Sequence, residues 1–200
     1  MKLPFGNDMT TVFFVRHAEP NLLNHDDLTR ELSAKGLRDR LLVTEFLQTQ
    51  HIDFVFSSPY RRAVETISDF AKESRLEITR INDFRERKVG NGWIENFDTF
   101  CQNQWNDFSY KLDGGESLQE MQLRNVTALN SLLQRFPGKH LAIGSHGTAL
   151  STIINHYDKQ FGYYDFKKIK DLMPWIVRFD FDGLLIKSIR SYNLFERKQF

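Results

Sequence analysis

The sequence predicts an α/β fold in which helices cover a largely parallel central sheet. Three observations carry this. Short apolar runs alternate with stretches of helical periodicity, the pattern of successive βαβ units. The first run, "TVFFV" at 11–15, is apolar almost throughout, as a central strand covered on both faces must be. Three runs also end abruptly on polar groups: Val15 leads into Arg16-His17, Phe56 into Ser57-Ser58, and Ile143 into Ser145-His146. In an open parallel sheet the carboxyl ends share one edge, where ligands bind.

Each element has its own signal. After the first strand, Ser33 is a good N-cap for a helix to about residue 49, with Leu37, Leu41, Leu42 and Phe46 facing inward. "IDFVF" (52–56) reads as the second strand. Ser58-Pro59 then begins a helix, Ser as N-cap and Pro in the first turn, with Val64, Ile67, Phe70 and Ala71 as its buried stripe. "LEITRI" (76–81) suits a strand, and the aromatic stretch 92–113 suits short helices and loop, with Trp93 and Trp105 in the core. Ser117 and Glu120 form a capping box opening a helix to about Phe136, which buries Leu118, Met121, Val126, Leu129 and Leu133. "HLAIGS" (140–145) is a further buried strand, and Gly147-Thr148 starts another helix. Residues 161–171 read as an amphipathic surface helix or a cover over the site. Residues 174–189 read as a hairpin turning at Asp182-Gly183.

The totals bound the function. A chain of 200 residues suits one domain spanning 1–200. The net charge of +1 gives no general attraction to nucleic acid or to a membrane surface. The N-terminal stretch lacks the apolar core of a signal peptide, and no run approaches the roughly 18–20 apolar residues of a membrane span. The lone Cys101 excludes an intrachain disulfide and fits a reducing compartment, so a cytoplasmic protein is expected, with a structural role for Cys101.

At the expected sheet edge, Arg16, His17, Arg61, Arg62 and His146 collect beside two helix N-termini, an arrangement suited to an anion. Arginine forks match the geometry of phosphate. The same set would repel a metal cation, so no metal or organic cofactor is expected. A neutral imidazole among phosphate binders can act as a nucleophile and form a phosphoenzyme. A carboxylic acid must then protonate the leaving oxygen, and Asp83 and Glu86 lie in "DFRERKVGNGW" (83–93).

The stretches "VRHAE", "SSPYRRA", "FRERKVG", "GGES" and "GSHGTAL" resemble, in order, the signatures of the histidine phosphatase superfamily, the phosphoglycerate mutase-like family. They span residue 12 to about 157. The resemblance implies a three-layer α/β sandwich with a mostly parallel sheet. It makes His17 the nucleophile, places Arg16, Arg62 and His146 in the phosphate pocket, and assigns Glu86 as proton donor. Arg61 is then the exposed neighbour of Arg62, Ser58 a cap orienting the arginine helix, and Glu19 and Gly147 further motif positions, Gly147 at the phosphate.

The chain departs from the pattern at Ala18, Pro20 and Leu23. Leu23 stands where many members carry a phosphate-contacting Asn, so Asn21, or else Asn24, is expected to replace that contact. His25, Asp26 and Asp27 follow as a solvated loop. Arg61, Arg85, Arg87 and Lys88 are surface charges and secondary candidates for substrate contact. The expected activity is hydrolysis of a small phosphorylated metabolite by a monomer or homodimer. The alternative is phosphoglycerate mutase chemistry through the same phosphohistidine. The segment after the acid motif is short, and Lys88-Val89 stand where mutases usually have His-Tyr, which favours the hydrolase. A non-catalytic regulatory member is disfavoured by the complete set of Arg16, His17, Arg62, Glu86 and His146.

Overall fold

The computed structural model describes residues 9–91, 94–196 and 198–199. The first eight residues and Trp93, for which a leaderless N-terminus and a core position were expected, lie outside these. The chain runs β1 (Met9–Arg16), α1 (Ala34–Gln48), β2 (Phe54–Ser57), α2 (Arg61–Glu73), β3 (Ile78–Arg80), a 3-10 turn (Asn82–Phe84), α3 (Phe97–Asn106) and α4 (Leu118–Arg135). It continues through β4 (His140–Ser145), α5 (Gly147–Tyr157), α6 (Tyr163–Ile169), β5 (Trp175–Asp182), β6 (Leu185–Asn193) and β7 (Lys198–Gln199). Among the described residues no helix is long and apolar enough to cross a membrane.

The strands form one sheet in the order β3-β2-β4-β1-β5-β6-β7. β3, β2, β4 and β1 are mutually parallel, while β5 pairs antiparallel with β1 and β6 with β5. Alternation along β1 explains the three layers. Phe13 and Val15 face α1 and α2, packing with Val43, Leu47, Ile67 and Phe70. Val12 and Phe14 face the other way into a larger core with Phe84, Trp105, Leu129 and Ile153.

Register delivers the expected edge. Arg16 pairs with Ser145 across β1–β4, and Ser57 with Gly144 across β2–β4. The ladder continues one step beyond the strands: His17 N–H donates to Ser145 O (3.1 Å) and Ser58 N–H to Gly144 O (2.8 Å). Residues 16–17, 57–58 and 145–146 therefore leave the sheet side by side.

Three local expectations are corrected. α1 buries Gly36, Val43, Thr44 and Leu47, with Leu42 and Phe46 half-covered, whereas Leu37 and Leu41 are 44% and 51% exposed. Gly36 sets this rotation, because it packs so closely on the Glu19 carbonyl that a Cβ would collide with it. α2 begins at Arg61, with Tyr60 rather than Ser58 at the N-cap position and Val64 only half-buried. Ser58 still belongs to the sheet ladder, and Pro59 precedes the helix. The hairpin turns on Gly183-Leu184, one residue later than expected. Asp182 still pairs with Leu185, and Gly183 supplies the positive φ of 58°. The capping box at Ser117/Glu120 and the buried face of α4 are as expected.

Phe14 is fully buried, edge-on to Phe84 (5.8 Å) and Phe179 (5.6 Å). Phe14→Ala is expected to cost about 3–5 kcal/mol in denaturant unfolding. A loss under about 1 kcal/mol would show that this contact does not organise the core.

Candidate active site

β1 delivers His17 in a defined state. Its Nδ1 lies 2.7 Å from Ala18 O. A carbonyl only accepts, so in the neutral ring Nδ1 carries the hydrogen and Nε2 the lone pair. Arg62 Nε donates to that Nε2 at 3.3 Å. Burial, then the charges of Arg62 and Arg16, hold the His17 imidazole well below its ordinary range. His146 sits edge-on to His17 at 5.3 Å between ring centroids and is likewise held low, by burial and Arg62. Its Nε2 meets Ser58 Oγ at 2.7 Å, and its Nδ1 is buried with no partner among the described residues.

Arg16 is fixed from behind. Its Nη1 donates to Ile169 O (2.8 Å) and Leu172 O (3.1 Å), and its Nη2 to Lys170 O (2.7 Å). Its Nε is buried and unpartnered among the described residues. Burial draws the guanidinium down to about 10, against the pull of Glu86 and Asp171. Gly147 stands so near that a Cβ would lie 2.9 Å from Arg16 Nε, which explains a glycine there. The 161–171 stretch carries the amphipathic helix expected of it. α6 buries Phe166 and Ile169 and exposes Tyr164, and its C-terminal carbonyls frame the site.

Arg62 occupies the second position of α2, buried, with its guanidinium over the Tyr60 ring at 4.9 Å. Its Nη1 donates to Asp27 O (2.7 Å), and its Nη2 lies 3.4 Å from the Asp27 carboxylate. The Glu86 carboxylate is held at both oxygens. Oε1 accepts from Arg87 N–H (2.9 Å) and lies 3.4 Å from Arg87 Nη1, and Oε2 accepts from Thr148 N–H (3.0 Å). The α5 N-terminus therefore serves Glu86 as well as the edge. The first N–H of α2 is spent on Leu28 O.

The remaining candidates separate. Asn21 and Asn24 both donate their amides to Glu31, at 2.7 and 2.9 Å, which draws that carboxylate down to about 2. The Asn21 amide, expected at the phosphate, is thus engaged by Glu31, and Leu23 projects into solvent. Glu19 turns away to accept from Ser33 Oγ (2.7 Å), tying the loop after β1 to the cap of α1. Arg61 is exposed and paired with Glu65 at 2.7 Å. Arg87, expected at the surface, is 3% exposed. His25, Asp26 and Asp27 are exposed, and with Tyr60, Arg85 and Lys88 they line an open groove beside Arg62. Cys101 is buried, and burial pushes its thiol up. Trp105 is in the core as expected.

Sequence reasoning missed Thr148, Asp27, Tyr60 and the carbonyls of 169–172. Thr148 stood at the start of a helix already assigned to the edge, and that signal was available. Backbone carbonyls have no residue-type signature.

The histidine phosphatase superfamily (branch 1) model matches residues 12–172. The phosphoglycerate mutase-like protein 4 of Arabidopsis thaliana is 30% identical over 165 residues, covering 73% of this chain and 70% of that protein. A metal-independent phosphoserine phosphatase of the same plant is 26% identical over 162 residues, covering 74% and 68%. The structure of a phosphoserine phosphatase mutant from Entamoeba histolytica superposes with a TM-score of 0.72 at 21% identity, over 90% of this chain and 96% of that one. The matched span opens in β1, which delivers Arg16 and His17, and closes at Leu172, whose carbonyl holds Arg16; the chain belongs to the histidine phosphatase superfamily, branch 1.

Proposed function

We propose that the protein is a phosphomonoester hydrolase that works through a phosphohistidine on His17. One observation carries the reading: a neutral imidazole with its lone pair on Nε2 stands beside two buried nitrogens, Arg16 Nε and His146 Nδ1, that the described residues leave unpartnered. Buried polar groups are normally satisfied, and these two suit a phosphoryl group drawn up to His17. Ser58 Oγ accepts from Tyr60 N–H (3.2 Å). In this reading it donates its own proton to His146 Nε2, so that His146 Nδ1–H donates to phosphate.

In the first half-reaction His17 Nε2 attacks phosphorus and the P–O ester bond breaks. The leaving oxygen takes a proton from Glu86. In the second half, the Glu86 carboxylate accepts a proton from water as the water oxygen attacks phosphorus. The P–N bond breaks, inorganic phosphate leaves, and His17 and protonated Glu86 are restored. Arg16, Arg62 and His146 stabilise the charge on the transferring oxygens. The Asp27 side of the groove must give way for Arg62 to turn its Nη groups to phosphate. Arg85 and Lys88, on the groove, remain the candidates for contact with the rest of a small phosphorylated metabolite.

No metal is required, because the donor set is two guanidiniums and two imidazoles, with the Glu86 carboxylate already taken by N–H donors. Mutase chemistry would need a closed site and a second anion-binding group. The guanidinium that follows the acid is engaged internally and offers no such group.

Purified protein is expected to hydrolyse an aryl phosphate in the presence of a chelator. His17→Ala should lower this by about a thousandfold or more and remove the acid-labile, alkali-stable phosphate trapped on the wild type. Chelator-sensitive activity would overturn the mechanism, and rapid isomerisation of 3-phosphoglycerate with bisphosphoglycerate, without phosphate release, would make it a mutase. Glu86→Gln should cost about 10²–10⁴-fold with alkyl phosphates and far less with activated aryl phosphates; equal losses would remove Glu86 as the acid.

The pH dependence follows from the His17 environment. A group held well below 6.5 stays neutral as pH falls through that value. Single-turnover phosphoryl transfer, corrected for ionisation of the substrate, should therefore hold from about pH 7.5 to about pH 6. A loss centred near 6.5 would show an ordinary, solvated histidine.

A further inference from the structure

Arg87 follows the acid directly and was expected to be a surface charge that could touch substrate. It is instead one of the most deeply buried cations described, and a buried guanidinium persists only where its donors are met. Its Nε donates to Gln104 Oε1 (2.6 Å), its Nη1 to Thr148 Oγ1 (2.6 Å), and its Nη2 points to Cys101 Sγ (3.6 Å). The rings of Phe97 and Phe100 flank it at 5.9 and 5.7 Å. All three nitrogens are committed to the protein, whereas Lys88 is exposed, its Nζ donating to the Asn91 amide oxygen (2.7 Å).

What these bonds join is informative. Thr148, which takes Nη1, gives its backbone N–H to Glu86 Oε2. Arg87 itself gives its backbone N–H to Glu86 Oε1, with Nη1 3.4 Å from the same oxygen. The carboxylate is thus gripped at both oxygens by a unit that Arg87 closes. Gln104, fully buried, extends the unit: its amide donates to Tyr110 O (3.3 Å) and Glu116 O (3.2 Å). Arg87 consequently ties three separate pieces together behind the acid: the segment after the 3-10 turn, the α5 N-terminus and α3.

We infer that Arg87 is a positioning residue for the proton-transfer step, not a substrate contact: it clamps Glu86 against Thr148 so that one carboxylate oxygen keeps its aim in both half-reactions. The inference rests on the reading of Glu86 as proton donor and acceptor. Its guanidinium also faces the oxygen pair on which negative charge appears when Glu86 gives up its proton. An acid that must act twice without reorganising gains from such a fixed partner.

The test compares Arg87→Met, Arg87→Lys, Glu86→Gln and the double variant Arg87→Met/Glu86→Gln in the full chain, across alkyl and activated aryl phosphates. Near-ultraviolet circular dichroism and melting establish the folded fraction. Arg87→Met is expected to lower kcat for alkyl phosphates by about a hundredfold, with a much smaller loss for activated aryl phosphates and little change in KM. Arg87→Lys should recover part of it. On the Glu86→Gln background the further loss should shrink to less than about threefold, since coupled residues are non-additive. Thr148→Val, which removes the Oγ1 partner and keeps the backbone N–H, should give the same leaving-group pattern more weakly and decides the matter if Arg87→Met does not fold. A rise in KM with kcat unchanged would make Arg87 a substrate contact. A loss equal across leaving groups, or additive with Glu86→Gln, would make it merely structural; either result overturns the inference. A flat leaving-group response in Glu86→Gln itself would instead overturn the role of Glu86, which keeps the two failures apart.

Discussion

Arg16 lies opposite Ser145, and Ser57 opposite Gly144, because β1, β4 and β2 pair in parallel with their carboxyl ends level. Everything at the site depends on that register. A slip of one residue would turn every side chain of β1 to the other face of the sheet, sending Phe14 out of its core. The apolar alternation that forbids the slip is therefore also what fixes the approach of His17 to His146. The two-sided core acts as the site's positional reference, with Phe13 and Val15 packed on one helix layer and Val12 and Phe14 on the other.

The site gathers cations where water is scarce, and the chain meets that cost in two ways. Arg16 is held by three backbone carbonyls at the end of α6, whose partial negative charge suits a guanidinium without neutralising it. Arg62 takes a carbonyl and a carboxylate from the exposed loop at Asp27. The first arrangement uses buried or half-buried backbone behind His17. The second lies on the exposed side facing the groove. The imidazoles take the opposite course: burial among cations favours the neutral form of both.

Much of this was legible in the residues. The strand ends that carry Arg16-His17, Ser57-Ser58 and Ser145-His146 announced themselves by apolar runs breaking on polar pairs, and the capping box at Ser117 marked the start of α4 to the residue. Asn21 and Arg87 were misread for a common reason. Each is a polar side chain in an irregular segment, and its role depends on which partner lies nearest. For Asn21 that partner is Glu31, ten positions on. For Arg87 it is Gln104 and Thr148, on helices that periodicity alone does not bring together.

By itself the sequence determined the α/β pattern, the strands that end on chemistry, and the order of the five motifs, because periodicity and residue type are local properties. Only the tertiary structure decided which donors are spent and which are left over. Arg16 keeps Nε because its other nitrogens meet the carbonyls of 169–172, and the Glu86 oxygens are taken by the backbone N–H groups of Arg87 and Thr148. Hydrogen-bond satisfaction is settled by neighbours in space, and for these groups the neighbours come from as far as 156 residues along the chain.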